Sequence, residues 1–219
     1  MADPQIQQLA GLHIASQFFY RFFHQSPDSL WIESLKQESL LQHWPLDLAP
    51  ADQHVLSEMH HSLETDLNRL SHDYSDLFVG PDKLLAAPWA SVYLTEEQIN
   101  CGQPTQWVKA FYREFGIEID TGETEPEDHI GLMFAFMAHL TQEALTAAEA
   151  NDQSIEPWIS GCRAFLENHM LTWAPRFLEW VQEQAKTDFY KDGSRLCQLT
   201  LQQFADFTDA EYKIVRLFR

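Results

Sequence analysis

The sequence predicts an all-α fold, and three observations carry that prediction. Apolar residues return at three- and four-residue steps through most of the chain, the period of a helix with one face against a core. Only 8 of the 219 residues are glycine and 45% are hydrophobic, which favours compact packing over disorder. No run of alternating β-branched residues offers a strand. A chain of this length buries a sufficient core as one domain over 1–219, and neither a fixed-period repeat nor a low-complexity segment divides it.

The first helix is read from Leu9, Leu12, Ala15, Phe19, Phe22 and Phe23, and Ser26-Pro27 stops it. A short helix over 29–40 is expected to bury Leu30, Trp31 and Leu35, followed by a loop through Trp44-Pro45-Leu46 to about Pro50. From Ala51 one long amphipathic pattern runs through Val55, Met59, Leu63, Leu67, Leu70, Tyr74, Leu77 and Phe78. Gly80 caps it and Pro81 cannot continue the ladder, so the region near 80–95 begins as a loop that carries Pro88 and Trp89.

A helix over 104–115 sets Trp107, Phe111 and Phe115 on one side and closes at Gly116, ahead of a polar loop near 116–124. Thr124-Glu125-Pro126-Glu127 has the form of a capping box, with threonine as N-cap, proline in the first turn and glutamate at the third helical position. The helix it opens points Ile130, Met133, Phe134, Met137 and Leu140 inward, to about 150. Further amphipathic runs over 155–169 and 175–186 bury Trp158, Cys162, Phe165, Leu166, Phe177 and Val181, and a last helix spans about 194–207.

Composition narrows the function. With 33 acidic against 14 basic side chains the formal net charge is -19, which repels nucleic-acid backbones and suits either a basic peptide or simple solubility. The three cysteines, 101, 162 and 197, form no Cys-x-x-Cys pair, so neither a disulfide framework nor a thiolate zinc site is indicated and a reducing compartment fits. No basic-then-apolar leader opens the chain and no stretch reaches the roughly 20 apolar residues of a membrane span, so a cytoplasmic location is expected. Phosphate-cradling glycine loops and a nucleophile elbow are absent. His54, Glu58 and His61 would share one helical face, but such spacing is common on solvated helices and no fourth ligand is suggested, so no metal is assigned.

Asp128 and His129 are read into the first turn of the capped helix, where the macrodipole favours a carboxylate and a neutral imidazole. Glu125 would share a face with each of them. The turn either complements the dipole or presents an acidic cluster to a cation, and periodicity alone leaves both readings open. Leu77 and Phe78 close an apolar stripe and read as core, whereas Trp89 on a loop suits binding. An aromatic wall beside Asp128 would be a chemically sensible receptor for paired arginines.

Three blocks then carry a resemblance: Tyr74-Ser-Asp-Leu-Phe-Val-Gly-Pro81, Ala87-Pro-Trp-Ala-Ser-Val-Tyr-Leu94 and Glu125-Pro-Glu-Asp-His129. In order and spacing they resemble the signature blocks of the TorD/DmsD redox-enzyme maturation chaperones. Trp44-Pro45-Leu46 and Leu217-Phe218-Arg219 extend the likeness, toward the DmsD branch, over nearly the whole chain. The resemblance implies a single compact multi-helix domain of that type. It also implies a cytoplasmic chaperone that binds the twin-arginine leader of a molybdenum-dependent reductase, of the dimethyl sulfoxide or trimethylamine N-oxide type, and holds the precursor until its cofactor is inserted.

Carried over by position, the leader-binding residues are Leu77, Phe78, Pro88, Trp89, Asp128 and His129, with Gly80 and Pro81 shaping the turn and Tyr74 and Glu125 adjoining them. Tyr74 stands where DmsD-like members often carry tryptophan, and Ala87 where they often carry a second proline. The leader's apolar stretch is expected against Leu77, Phe78, Trp89 and Tyr74, and its arginines at Asp128 and neighbouring carboxylates. The translocase is a second candidate partner, the chain is expected as a monomer or a helix-exchanged dimer, and no catalytic residue is assigned. No cofactor is expected either, since no motif supports the guanine nucleotide raised for relatives. Two other classes compete: a metal- or His/Asp-dependent hydrolase centred on His129, and a general acidic adaptor that tolerates any basic helix.

Overall fold

The computed structural model describes residues 3–81, 84–118, 125–150 and 154–219. Among these residues the regular structure is ten α-helices and two π-helical turns, with no strand. The all-α expectation holds, and the reasons are local. Helix α1, Pro4–His24, is opened by Asp3, whose side chain accepts the Gln5 N–H, with proline at the first position, and it buries Leu9, Leu12, Ala15, Phe19, Phe22 and Phe23 as expected. Its main partner is α7, Ile130–Glu149, which is apolar around most of its surface and therefore runs through the interior. Helix α10, Asp188–Thr208, packs against α1 and also against α9, Ala174–Gln184, and α3, His54–Ser62. One large aromatic-rich cluster fills the space between them.

Several boundaries differ from expectation. Helix α2 spans Ser29–Gln37 and buries Ile32 and Leu35, whereas Leu30 is 83% exposed, so the apolar face is turned one position from the one expected. The long pattern from Ala51 is two helices: α3 stops at Ser62, Leu63 to Thr65 turn, and Asp66 caps α4, Leu67–Tyr74, by accepting the N–H groups of Asn68 and Arg69. Leu63 and Leu70 are buried on both sides of this break, which is why spacing alone concealed it. Helix α4 then widens into a π-turn, Ser75–Val79, closed by the Gly80 N–H on the Ser75 carbonyl. Gly80 has φ 99°, a backbone state that costs other residues heavily, so the expected glycine stop is where the chain turns.

Helix α6, Gln103–Glu114, buries Val108 and Tyr112, with Phe111 and Phe115 partly buried, while Trp107, expected on the inner face, is 55% exposed. Helix α8, Glu156–Phe165, passes into a second π-turn, Leu166–Met170. Helix α10 starts six residues before the expected 194. Its start is secured from afar: buried Asp73 accepts the backbone N–H groups of Lys186 and Thr187 and the Thr187 hydroxyl, at 2.7–3.1 Å. Thr124, the expected cap of the central helix, lies outside the described residues.

Candidate functional site

The two family blocks that carry Trp89 and His129 meet in a single antiparallel bridge. The Ala90 N–H donates to the Asp128 carbonyl at 3.1 Å, and the Ile130 N–H donates to the Pro88 carbonyl at 2.8 Å. Each block thereby opens a helix beside the other: α5, Ala90–Leu94, follows Trp89, and α7 follows His129. Sequence spacing offered no sign of this pairing, because His129 lies 40 positions after Trp89, beyond α5 and α6.

This geometry revises the expected helix start. Residues 125–129 are not helical, and α7 begins at Ile130 with His129 as its N-cap. The His129 Nδ1 accepts the Gly131 N–H at 3.0 Å, so that nitrogen is an acceptor and the imidazole is neutral. Burial, with His24 facing it at a ring distance of 5.3 Å, pushes the His129 pKa down to about 3. Gly131 is required by crowding: a Cβ there would lie 2.8 Å from the His24 Cβ and 3.2 Å from the His129 Nδ1.

Asp128 is 0% exposed, and both of its oxygens are engaged. Oδ2 accepts the Ser91 N–H at 2.7 Å and Oδ1 accepts the Thr105 hydroxyl at 2.8 Å. It therefore caps α5 from across the bridge and ties α5 to α6. Burial raises its pKa while these donors act in the other direction. Asp128, expected to meet a leader arginine, is therefore buried with both oxygens engaged by the protein's own donors. The expected shared helical face of Glu125, Asp128 and His129 is corrected, since residues 125–129 are not helical.

What is accessible is the other acid. Glu125 is half-buried and its Oε2 accepts the Trp89 indole N–H at 2.9 Å, while its Oε1 takes no bond among the described residues. Trp89 is also half-buried and lies edge-on to His129 at 6.1 Å. Lys109 pairs with Glu127 at 2.6 Å, and the Tyr112 hydroxyl donates to the Glu127 carbonyl at 3.1 Å, which fastens the 125–129 segment to α6. Tyr74, Leu77, Phe78 and Pro88 are buried. The Tyr74 hydroxyl donates to the Phe23 carbonyl and its ring packs on Phe78, so the expected apolar wall is part of the core. Pro81 is exposed beside the Gly80 turn.

Sequence reasoning missed Ser91, Thr105 and His24, whose parts depend on which segments meet. No hydrogen bond joins Asp128 to His129 among the described residues, so the dyad that a hydrolase would need is not formed. Among the same residues no three histidine, cysteine or carboxylate side chains are grouped to hold a metal ion. Glu58 and His61 do share a cleft of about 720 Å³ with Asp188 and Asp192. No described helix is long and apolar enough to cross a membrane.

Comparison with known proteins adds the relatives. The family described as nitrate reductase delta subunit matches residues 46–179. A Tat proofreading chaperone DmsD from Salmonella typhi is 30% identical over 186 residues, 83% of each chain. The chain belongs to the TorD/DmsD family. A probable Tat proofreading chaperone DmsD from Haemophilus influenzae is 29% identical over 202 residues, 90% of this chain and 91% of that one. A chaperone protein TorD from Vibrio cholerae is 28% identical over 191 residues, 80% and 85% of the two chains. The crystal structure of a putative redox enzyme maturation protein from Archaeoglobus fulgidus shares the fold of this TorD/DmsD member, with a TM-score of 0.52 over 92% of this chain and 96% of that one at 18% identity.

Proposed function

We propose that this chain is a chaperone, not an enzyme, that binds the twin-arginine leader of a molybdenum-dependent reductase precursor and holds it until cofactor insertion is complete. The observation that carries this reading is the bridge at 89 and 129, which sets half-buried Trp89 and Glu125 over buried Asp128 and His129. A half-buried indole there is held edge-on by a carboxylate with an open oxygen. A guanidinium can stack on the indole and fork onto Glu125, so the direct arginine contact moves from Asp128 to the Trp89–Glu125 pair, with Asp128 and His129 as positioning residues. The net charge of -19 suits a basic leader.

The chain's place of action is the cytoplasm, where a leader is met before export, and hand-over to the translocase follows release. Calorimetry with a synthetic leader tests the reading. Glu125→Gln should weaken binding about tenfold, in line with the roughly 1.5–3 kcal/mol of a hydrogen bond to a charged group. Replacing the leader's arginine pair by lysines should weaken it as well, because lysine lacks the planar fork. Unchanged affinity for the lysine leader would favour a general acidic adaptor instead.

A further inference from the structure

Residues 209–219 follow α10 as an extended strap over the protein surface. Asp209, in the left-handed region at φ 57°, turns the chain out of the helix. The first part of the strap is tied to the second π-turn: the Glu211 N–H donates to Glu167, and the Lys213 Nζ reaches Asn168 at 2.6 Å and Glu167 at 3.5 Å. Tyr212, Ile214 and Val215 are exposed, Ile214 completely. The chain then settles on the segment that carries Trp89. The Phe218 N–H donates to the Tyr93 carbonyl at 2.9 Å, the Gln98 side-chain amide donates to the Phe218 carbonyl, and Leu217 packs against the core.

The last contact is the informative one. The Arg219 guanidinium donates to two successive backbone carbonyls, Leu84 and Leu85, and stands 6.0 Å from the centroid of the Tyr93 ring. The chain bends at 85–86, where its N–H groups turn inward: the Leu85 N–H donates to the Asp76 carbonyl and the Ala86 N–H donates to the Leu77 carbonyl, both on the first π-turn. Tyr93 is fully buried, and its hydroxyl has no hydrogen-bond partner among the described residues. A buried hydroxyl left without a partner is costly, and it leaves an acceptor unused on the ring that the guanidinium approaches.

We infer that the Leu84 and Leu85 carbonyls and the Tyr93 side chain form an arginine subsite next to Trp89, and that Arg219 fills it as an internal stand-in for an arginine of an extended, apolar peptide. Two carbonyls and an aromatic ring select a planar, multiply donating cation over lysine. The strap also places apolar Leu217 and Phe218 immediately before its arginine, so arginine and apolar side chains are presented together, the residue types that a twin-arginine leader combines. A bound leader would displace the strap and take its place, so the protein's apparent affinity is set by competition with its own residues 216–219. The identity of the competing ligand rests on the leader-binding reading above; the subsite itself does not.

Calorimetry on the full chain tests this in two steps. Arg219→Ala should bind a synthetic twin-arginine leader roughly tenfold more tightly, the loss of one charge-assisted contact from an internal competitor, and Arg219→Lys should fall between it and the unaltered chain. A synthetic peptide of residues 211–219 should then bind the Arg219→Ala protein in trans and compete with the leader, whereas the same peptide with lysine at 219 should bind several-fold more weakly. Equal or weaker leader affinity in an Arg219→Ala protein that keeps its melting temperature would overturn the inference. So would failure of the arginine peptide to bind. If no leader binds any of these proteins, the leader reading fails, and arginine-dependent binding of the peptide still decides the subsite.

Discussion

The side chain whose role changes most is Asp128. On sequence it could complement a helix dipole or face a cation, and resemblance favoured the second. The structure makes it a buried cap with two donors, Ser91 N–H and Thr105 hydroxyl. Removing it leaves both donors buried and unsatisfied, so Asp128→Ala should cost about 3 kcal/mol of stability. Asp128→Asn separates support from charge. Its amide oxygen can keep the Ser91 bond, and its NH₂ group can face a Thr105 hydroxyl rotated to accept. The asparagine variant should therefore retain leader affinity within about twofold in calorimetry, if the role is to hold the Trp89–Glu125 surface. A tenfold loss at unchanged melting temperature would restore a direct reading of arginine by Asp128. The residue types of the site were legible in sequence; their partners were not, since Thr105 and Ser91 carry no local pattern that marks them as donors to a residue on another segment.

At the scale of elements most helices were legible, but α5, Ala90–Leu94, forms inside the region near 80–95 expected as a loop, because its start is set by the bridge and by Asp128 on another segment. Helix ends were less legible still. Periodicity survives a short turn when the residues on both sides stay buried, as at Leu63 and Leu70, so one long helix and two short ones give the same apolar stripe. The start of α7 was misplaced because a capping-box pattern is local, while the actual cap, His129, is selected by the bridge to Trp89. The early start of α10 likewise depends on the remote Asp73. Between α3 and α10 the elements bring carboxylates together: Asp192 on α10 has its pKa raised to about 6 by burial, with Glu58 and Asp188 adding repulsion. The unfolded chain has the ordinary value near 3.9. Between roughly pH 4 and 6 the folded state thus holds the extra proton, so this group favours folding as pH falls through 6 and opposes it above. Asp192→Asn should accordingly stabilise the protein at pH 7, modestly because the site is partly solvated, and the gain should vanish near pH 4. Thermal denaturation of both proteins across that range checks it, and a gain that persists at pH 4 would point to packing instead of charge.

At the scale of the whole molecule, the all-α class follows from periodicity and composition, and the meeting of the two motif blocks at Trp89 and His129 follows from the fold alone. The same scale governs how a ligand arrives. A net charge of -19 on a chain of 219 residues sets up a negative potential around the entire surface, beyond any one carboxylate. For a basic leader this potential acts mainly on encounter, since its range is the Debye length, about 10 Å at 0.1 M salt and about 3 Å at 1 M. Contacts at the half-buried Trp89–Glu125 pair are screened far less. The two steps should therefore separate in stopped-flow measurements of a labelled leader. Raising salt from about 0.02 M to 0.5 M should slow association by roughly tenfold or more and change dissociation by less than about threefold. If dissociation instead rises in step with the fall in association, long-range charge would be holding the leader as well as guiding it, and the proposed local arginine contacts would contribute little to its residence.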